Sequence, residues 1–386
     1  MRRILPLIVL SQFFCTSVWF AGNAVMPDII KNFHPEAGFL AHLTSTVQFG
    51  FITGTLIFAI LTIADRFSPS WVFFSSSLAA ALCNWTVGME GVNASTILLS
   101  RFLTGFFLAG IYPVGMKIAS DHFKEGLGRS LGFLVGALVM GTALPHLLKS
   151  MALTLPWKFV IFSTSGLAVM GGICMLLFVP DGPYRKQGQK INFTAFAAGF
   201  SNKQFRAASL GYFGHMWELY TFWAFIPVML GTYKTLYPAV NLNISFISFL
   251  VIGSGSLACI LSGYMSRIFG VKNMAAISLC LSFICCLLSP VLLQTNATFL
   301  FIGFLFFWGM VVIADSPLFS TLIAQNAPEN SRGTSLTIVT CIGFSITIIS
   351  IQLVNILFAF FNPRYIYMIL AIGPILGLIA LLKKDK

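Results

Sequence analysis

Charge is what this 386-residue sequence has least of: Asp, Glu, Lys and Arg together make up 9% of it, against about 25% in a soluble globular chain. No water-soluble domain could hide the apolar surface that remains, so a soluble enzyme, a nucleic-acid binder and a disordered chain are excluded. Histidine is scarce too, at five residues, and none stands at metal-ligand spacing with the eight cysteines, all of which lie in apolar runs. Small packing residues are the reading for those cysteines; no metal site, cofactor or secreted disulfide scaffold is expected. A Gly-x4-Gly-Lys-Ser/Thr phosphate loop is missing, which argues against a nucleotide-driven pump. A filter-like loop is missing as well, which argues against a channel.

Apolar residues are what the sequence has instead. They form 57% of the chain, with 40 Phe and a mean hydropathy of +0.89. At roughly 30 residues for a membrane helix plus a loop, the length leaves room for about a dozen crossings. Twelve apolar runs bounded by charge and turn residues fit that number: 4–26, 41–63, 71–89, 95–119, 129–149, 157–179, 206–230, 243–265, 273–293, 298–321, 333–355 and 364–382, here spans 1 to 12. The runs do not alternate polar with apolar residues as barrel strands do, so they are helices. The fold class expected is an all-α membrane protein of twelve transmembrane helices.

The net charge of +12 is unevenly distributed. Sixteen of the 23 Lys and Arg, among them Arg66, Arg185, Lys203, Arg206, Lys272 and Lys383, fall on one side of the predicted spans. Five (Lys31, Lys149, Lys158, Lys234 and Arg364) fall on the other, and Arg101 and Lys117 sit within span 4. The positive-inside rule makes the rich side and both termini cytoplasmic. The N-terminus resembles a signal peptide, but its apolar run continues through Met26 and is long enough to be retained as span 1.

The longest break in the hydrophobic pattern, residues 181–205, divides the chain into an N-terminal bundle, 1–180, and a C-terminal bundle, 206–386, and reads as a cytoplasmic linker. The two halves repeat. Leu61-x3-Asp65-Arg66-x-Ser68 after span 2 matches Gly263-x3-Arg267-x2-Gly270-x-Lys272 after span 8 at an offset of 202; Pro113 and Pro317 are 204 apart, and the pairs Glu125/Arg129 and Glu329/Arg332 follow. A duplicated six-helix unit accounts for one order at nearly one spacing.

With these motifs the chain resembles the major facilitator superfamily over essentially its whole length. Asp65-Arg66 falls where that family has its first cytoplasmic signature, with Leu61 and Ser68 in place of the usual glycines. Arg101-x3-Gly105 followed by Ala109-Gly110 is similar to its fourth-helix motif, and Gly132-x3-Gly136-x4-Gly141 is a partial antiporter signature with Ala137 where proline is usual. The segments Gln12–Asn23 and Gly214–Glu218 resemble a bacterial branch often grouped with nitrate permeases, yet spans 2 and 8 lack the arginines of nitrate carriers. The resemblance implies two pseudo-symmetric halves that alternate access in a bacterial inner membrane. It also implies that spans 1, 4, 7 and 10 line the path, that spans 3, 6, 9 and 12 are peripheral, and that Asp65, Arg66, Gly105, Gly136, Gly141, Lys117 and Asp121 serve gating and structure.

A charge within the hydrocarbon costs roughly 2.5–3.5 kcal/mol, so ionisable residues inside spans need a reason. They are Arg101 and Lys117, His146, His215 and Glu218, and Asp315. Lys117 pairs with Asp121 four residues on. Arg101 shares a helical face with Gly105, Leu108 and Tyr112, and is either a substrate contact or an architectural group. Glu218, near the middle of span 7, is either a site that binds and releases a proton or a neutral acid hydrogen-bonded to His215. Asp315 is either a second coupling site or a cap on a helix kinked at Pro317. By depth, Asn23, Gln48, Arg101 and His146, with Trp19 on the Asn23 face, form either a polar vestibule or an interhelical hydrogen-bond network.

These readings lead to a secondary transporter, working as a monomer in the lipid bilayer, for a small anionic or zwitterionic organic solute, with the proton as coupling ion. A drug or metabolite efflux antiporter is the alternative within that class. An intramembrane enzyme and a non-transporting sensor are the alternatives outside it.

Overall fold

The computed structural model describes residues 4–123, 127–151, 155–185, 196–197, 199–328 and 332–383, with no side-chain description for 127–129. Arg2, Arg3, Glu125, Glu329, Lys384, Lys386, the Arg129 side chain and much of the linker lie outside them. Among the described residues the structure is helical, and nine helices are long and apolar enough to cross a membrane. Spans 3 and 7 are the continuous helices Pro69–Thr86 and Lys203–Leu236; they fall outside the nine, as does span 1, whose first helix, Ile4–Thr16, is too short. Contacts divide the chain into two compact units, Met1–Ile191 and Asn192–Lys386.

The same pairings recur inside each unit. In the first, span 2 packs on span 4, span 3 on span 6, and span 1 on spans 5 and 6; in the second, span 8 packs on span 10, span 9 on span 12, and span 7 on spans 11 and 12. Small residues permit this. A Cβ on Gly105 would collide with the Val47 carbonyl, and Gly50 meets the Phe102 carbonyl in the same way, so the backbones of spans 2 and 4 touch. Lipid offers no hydrophobic gain to helix association, which leaves such close packing to drive it. In span 5, Gly141 meets Thr16 and Phe13 of span 1, Gly136 is buried, and Gly132 faces open space.

Three expected spans are interrupted. Span 4 stops at Leu108 and resumes at Tyr112; span 10 stops at Ala314 and resumes at Ser316. Pro113 and Pro317 sit in the first turn of each second segment, where a missing N–H costs nothing. The face drawn from Arg101 to Tyr112 therefore ends at Leu108. Span 1 departs furthest from expectation: it runs Ile4–Thr16, turns through residues 17–20, and continues as Ala21–Ala24 and Met26–Phe33. Thr16 and Ser17 bond back to the carbonyls of Gln12 and Phe14, a local alternative to the helical ladder. The single face assumed for Trp19 and Asn23 is lost in that turn.

At the end of the first unit that carries the motif loop, Asp65 lies 2.8 Å from Lys117 Nζ, and Asp121 lies 3.6 Å from it. The expected Lys117–Asp121 pair is present, with Asp65 as a closer partner. Arg185 pairs with Asp181 at 2.6 Å and donates to the carbonyls of Asp65 and Phe67, while Arg66 donates to Thr62. Residues 181–185 thus fasten to the first unit. Phe196, Phe200 and Phe205 stack edge-to-face within the second, and span 7 starts at Lys203, capped by Asn202. At the opposite end of the first unit, Lys149 pairs with Asp28 at 2.6 Å.

Candidate functional site

In the first unit the broken backbone of span 1 decides where Arg101 goes. Interrupting a helix releases carbonyls from the ladder, and the Arg101 guanidinium, fully buried, takes two of them: Nη1 donates to Val18 O at 2.9 Å and Nη2 to Trp19 O. Nη1 also donates to Asn84 Oδ1 at 2.9 Å. The Asn84 amide turns to span 6, donating to Thr164 and Ser165 at 3.1 and 2.9 Å. Four helices are tied through one arginine, each charged hydrogen bond contributing about 1.5–3 kcal/mol.

Among the described residues Arg101 makes no hydrogen bond to Asn23, Gln48 or His146; its bonds go to Val18, Trp19 and Asn84. Asn23 donates to Thr44 at 2.7 Å. The Trp19 ring packs on Phe51, with centroids 4.9 Å apart. Among the described residues, Gln48 and Gln12, both fully buried, have no hydrogen-bond partner for either polar side-chain atom, and neither has His146 Nε2. Buried polar atoms are nearly always satisfied, so these donors and acceptors, on spans 1, 2 and 5, are, with Asn23 Oδ1 and Arg101 Nε, among those with capacity to hold a polar solute.

In the second unit the charges sort differently from the sequence expectation. Glu218, 1% exposed, does not meet His215. Its Oε1 accepts from Ser282 Oγ at 2.6 Å, Trp308 Nε1 at 2.6 Å and Cys286 Sγ at 3.3 Å. His215 instead faces span 10: its Nδ1 lies 2.8 Å from Asp315 Oδ1, and both residues are 1% exposed. Asp315 occupies the break in span 10 but makes no side-chain capping bond, so the cap reading is replaced by the pair with His215. The two residues share one side of span 7 but stand about 60° and 4.5 Å apart on it, and within that offset Glu218 meets Ser282, Cys286 and Trp308 while His215 meets Asp315.

Asn84 and Cys286 are 202 residues apart, the spacing of the repeat. In both units a buried ionisable group binds where the first, third and fourth helices of the half converge, as a cation on the fourth helix in one and an acid on the first helix in the other. Ser282, Cys286, Trp308 and Asn84 were not singled out by the sequence reading; the shared repeat offset of Asn84 and Cys286 is the signal that marks that register. Among the described residues no group of three or more His, Cys, Asp or Glu gathers as metal ligands do.

The family model of the Major Facilitator Superfamily matches residues 8–351. The chain belongs to the major facilitator superfamily. It is a multi-pass integral membrane protein and a secondary transporter of a small molecule, not an enzyme. Solved structures of that fold align over nearly the whole chain. The human organic anion transporter MFSD10 (TETRAN) has a TM-score of 0.76 at 13% identity, covering 98% of this chain and 99% of its own. The nucleoside transporter NupG gives 0.74 at 13%, covering 99% and 100%. A bacterial homolog of the human lysosomal transporter Spinster, inward-facing and unoccupied, gives 0.71 at 14%, covering 99% and 94%. At such identities the likeness is one of fold. A shorter likeness, 31% identity over 134 residues, links 34% of the chain to cytochrome c oxidase subunit 3 of Allomyces macrogynus, of which the chain spans 43%.

Proposed function

We propose that this superfamily member moves a small anionic or zwitterionic organic solute by alternating access between its two six-helix units, coupled to protons. It works as a monomer in a bacterial inner membrane, with both termini and the Lys/Arg-rich loops cytoplasmic. The observation that carries the reading is the His215–Asp315 pair, buried at a helix break, with Glu218 one turn further along span 7. A buried carboxylate held by neutral donors can be occupied by a proton, and a buried acid beside an imidazole can exist as an ion pair or a neutral pair. A carrier that takes up a proton on one side and releases it on the other needs such groups.

Support for a polar cargo comes from the side-chain amides of Gln12 and Gln48 and from His146 Nε2, which are buried without a hydrogen-bond partner among the described residues. Efflux by proton antiport uses the same groups in reverse and remains the second reading within this class. The test begins with a thermal-shift screen of the purified protein against organic anions and zwitterions. Flux of the best ligand is then followed in proteoliposomes with an imposed pH gradient. Gradient-driven accumulation of an anion or zwitterion is expected, and the sign of the driving gradient distinguishes symport from antiport. Flux indifferent to the gradient would remove the proton, and stabilisation by neutral lipophiles alone would remove the charged cargo.

A further inference from the structure

We infer that the seam between spans 7 and 12 is a binding site for an anionic glycerophospholipid. The two helices meet so closely at Gly214 and Gly373 that a Cβ on either would strike the other's carbonyl. Larger side chains flank that contact and raise the walls of a trough with a volume of about 1010 Å³. Leu210, Phe213 and Trp217 come from span 7, and Ile372, Leu376 and Ile379 from span 12. Four of these are exposed, Leu376 to 59% and Ile379 to 58%, which an aqueous site would not tolerate and a bilayer would cover.

Charge lies at one end only. Lys203 and Arg206 open span 7, Lys272 opens span 9 and Lys383 closes span 12, and all four line the trough. No carboxylate is among the described residues that line it. From that end the lining extends along span 7 to Trp217 and along span 12 to Ile372. At 1.5 Å per residue this is roughly 16–21 Å, against roughly 15 Å for one leaflet of the hydrocarbon core. Trp217 marks the far end, its Nε1 donating to Ile369 O at 3.1 Å.

The occupant must therefore carry negative charge at one end and about a leaflet's depth of hydrocarbon behind it. A phospholipid with a net negative headgroup has both; a zwitterionic headgroup adds no net negative charge beside Arg206, Lys272 and Lys383, and a soluble anion leaves the apolar walls bare. Basic pockets between membrane helices are a recognised setting for such headgroups.

The full-length protein in detergent micelles, titrated with phosphatidylglycerol or with phosphatidylcholine of the same acyl chains, tests this by native mass spectrometry. One phosphatidylglycerol per protein is expected at concentrations at least tenfold below those that load phosphatidylcholine. Arg206→Gln combined with Lys272→Gln should weaken retention at least tenfold, and so should Leu376→Trp, which fills the trough without altering charge. Equal loading of the two lipids would overturn the site, as would retention unchanged in either variant. Displacement of the bound lipid by glycerol phosphate as readily as by phosphatidylglycerol would overturn the role of the trough. Should a variant fail to fold, the comparison of the two lipids on the unmodified protein decides alone.

Discussion

His215 Nδ1 and Asp315 Oδ1 lie 2.8 Å apart, one on the long helix of span 7 and the other at the interruption of span 10. Each is the other's polar partner in a place where both are 1% exposed. Asp315→Asn removes the acid but keeps the shape. Gradient-driven flux in proteoliposomes should fall by tenfold or more, while exchange of labelled for unlabelled substrate at equal pH persists. Glu218→Gln, which keeps an acceptor for Trp308 and Ser282, should behave likewise. Full gradient-driven transport by both variants would remove these groups from coupling.

Arg101 should be far less tolerant of conservative change. A lysine ammonium cannot imitate the planar fork that meets Val18 O, Trp19 O and Asn84 Oδ1 together. Arg101→Lys is expected to lose about 2–4 kcal/mol and Asn84→Ala about 1–3 kcal/mol, read as lowered melting temperatures of the purified proteins. A lysine variant melting with the parent would show that the carbonyls of span 1 do not depend on the guanidinium.

The glycines of the repeat can be separated by one experiment. Gly105→Ala places a methyl against the Val47 carbonyl, whereas Gly132→Ala meets nothing within 4 Å. The first should destabilise by about 1–3 kcal/mol, the usual range for overpacking, and the second should be neutral or slightly stabilising. Equal melting temperatures for the two variants would contradict the close approach of spans 2 and 4.

Asp65 and Lys117 form a part-exposed pair, with side chains 23% and 22% exposed. Its contribution should be small, about 0.2–1 kcal/mol, and should shrink as salt is added. A double-mutant cycle with Asp65→Asn and Lys117→Gln, run at low and high ionic strength, measures it. A coupling of several kcal/mol, or one insensitive to salt, would mean that the loop is buried more deeply than its exposure indicates.

The sequence made the helical count and the duplication legible because both are patterns along the chain. Burial of the ionisable groups was legible too, because a charge inside an apolar run has few places to go. Partners were harder. Helical phase gives the direction of His215 and Glu218 relative to each other but says nothing of which helix stands opposite, so Asp315 and Trp308 were not assigned to them. Pro317 marked the kink in span 10, and Pro113, read only as its repeat partner, stands at the equivalent break in span 4. The break in span 1 had no such marker: Cys15 to Phe20 contains neither glycine nor proline, and the group that meets its freed carbonyls, an arginine 83 residues downstream of Val18, is not local.

That separation imposes a schedule on biogenesis. The opening helix, thirteen residues long, reaches only about 20 Å, less than the hydrocarbon thickness, and the carbonyls of Val18 and Trp19 lack their guanidinium partner until Arg101 has been synthesised. The first four segments therefore settle as a single cooperative step. A nascent chain truncated before residue 101 should be held at the insertion machinery or degraded.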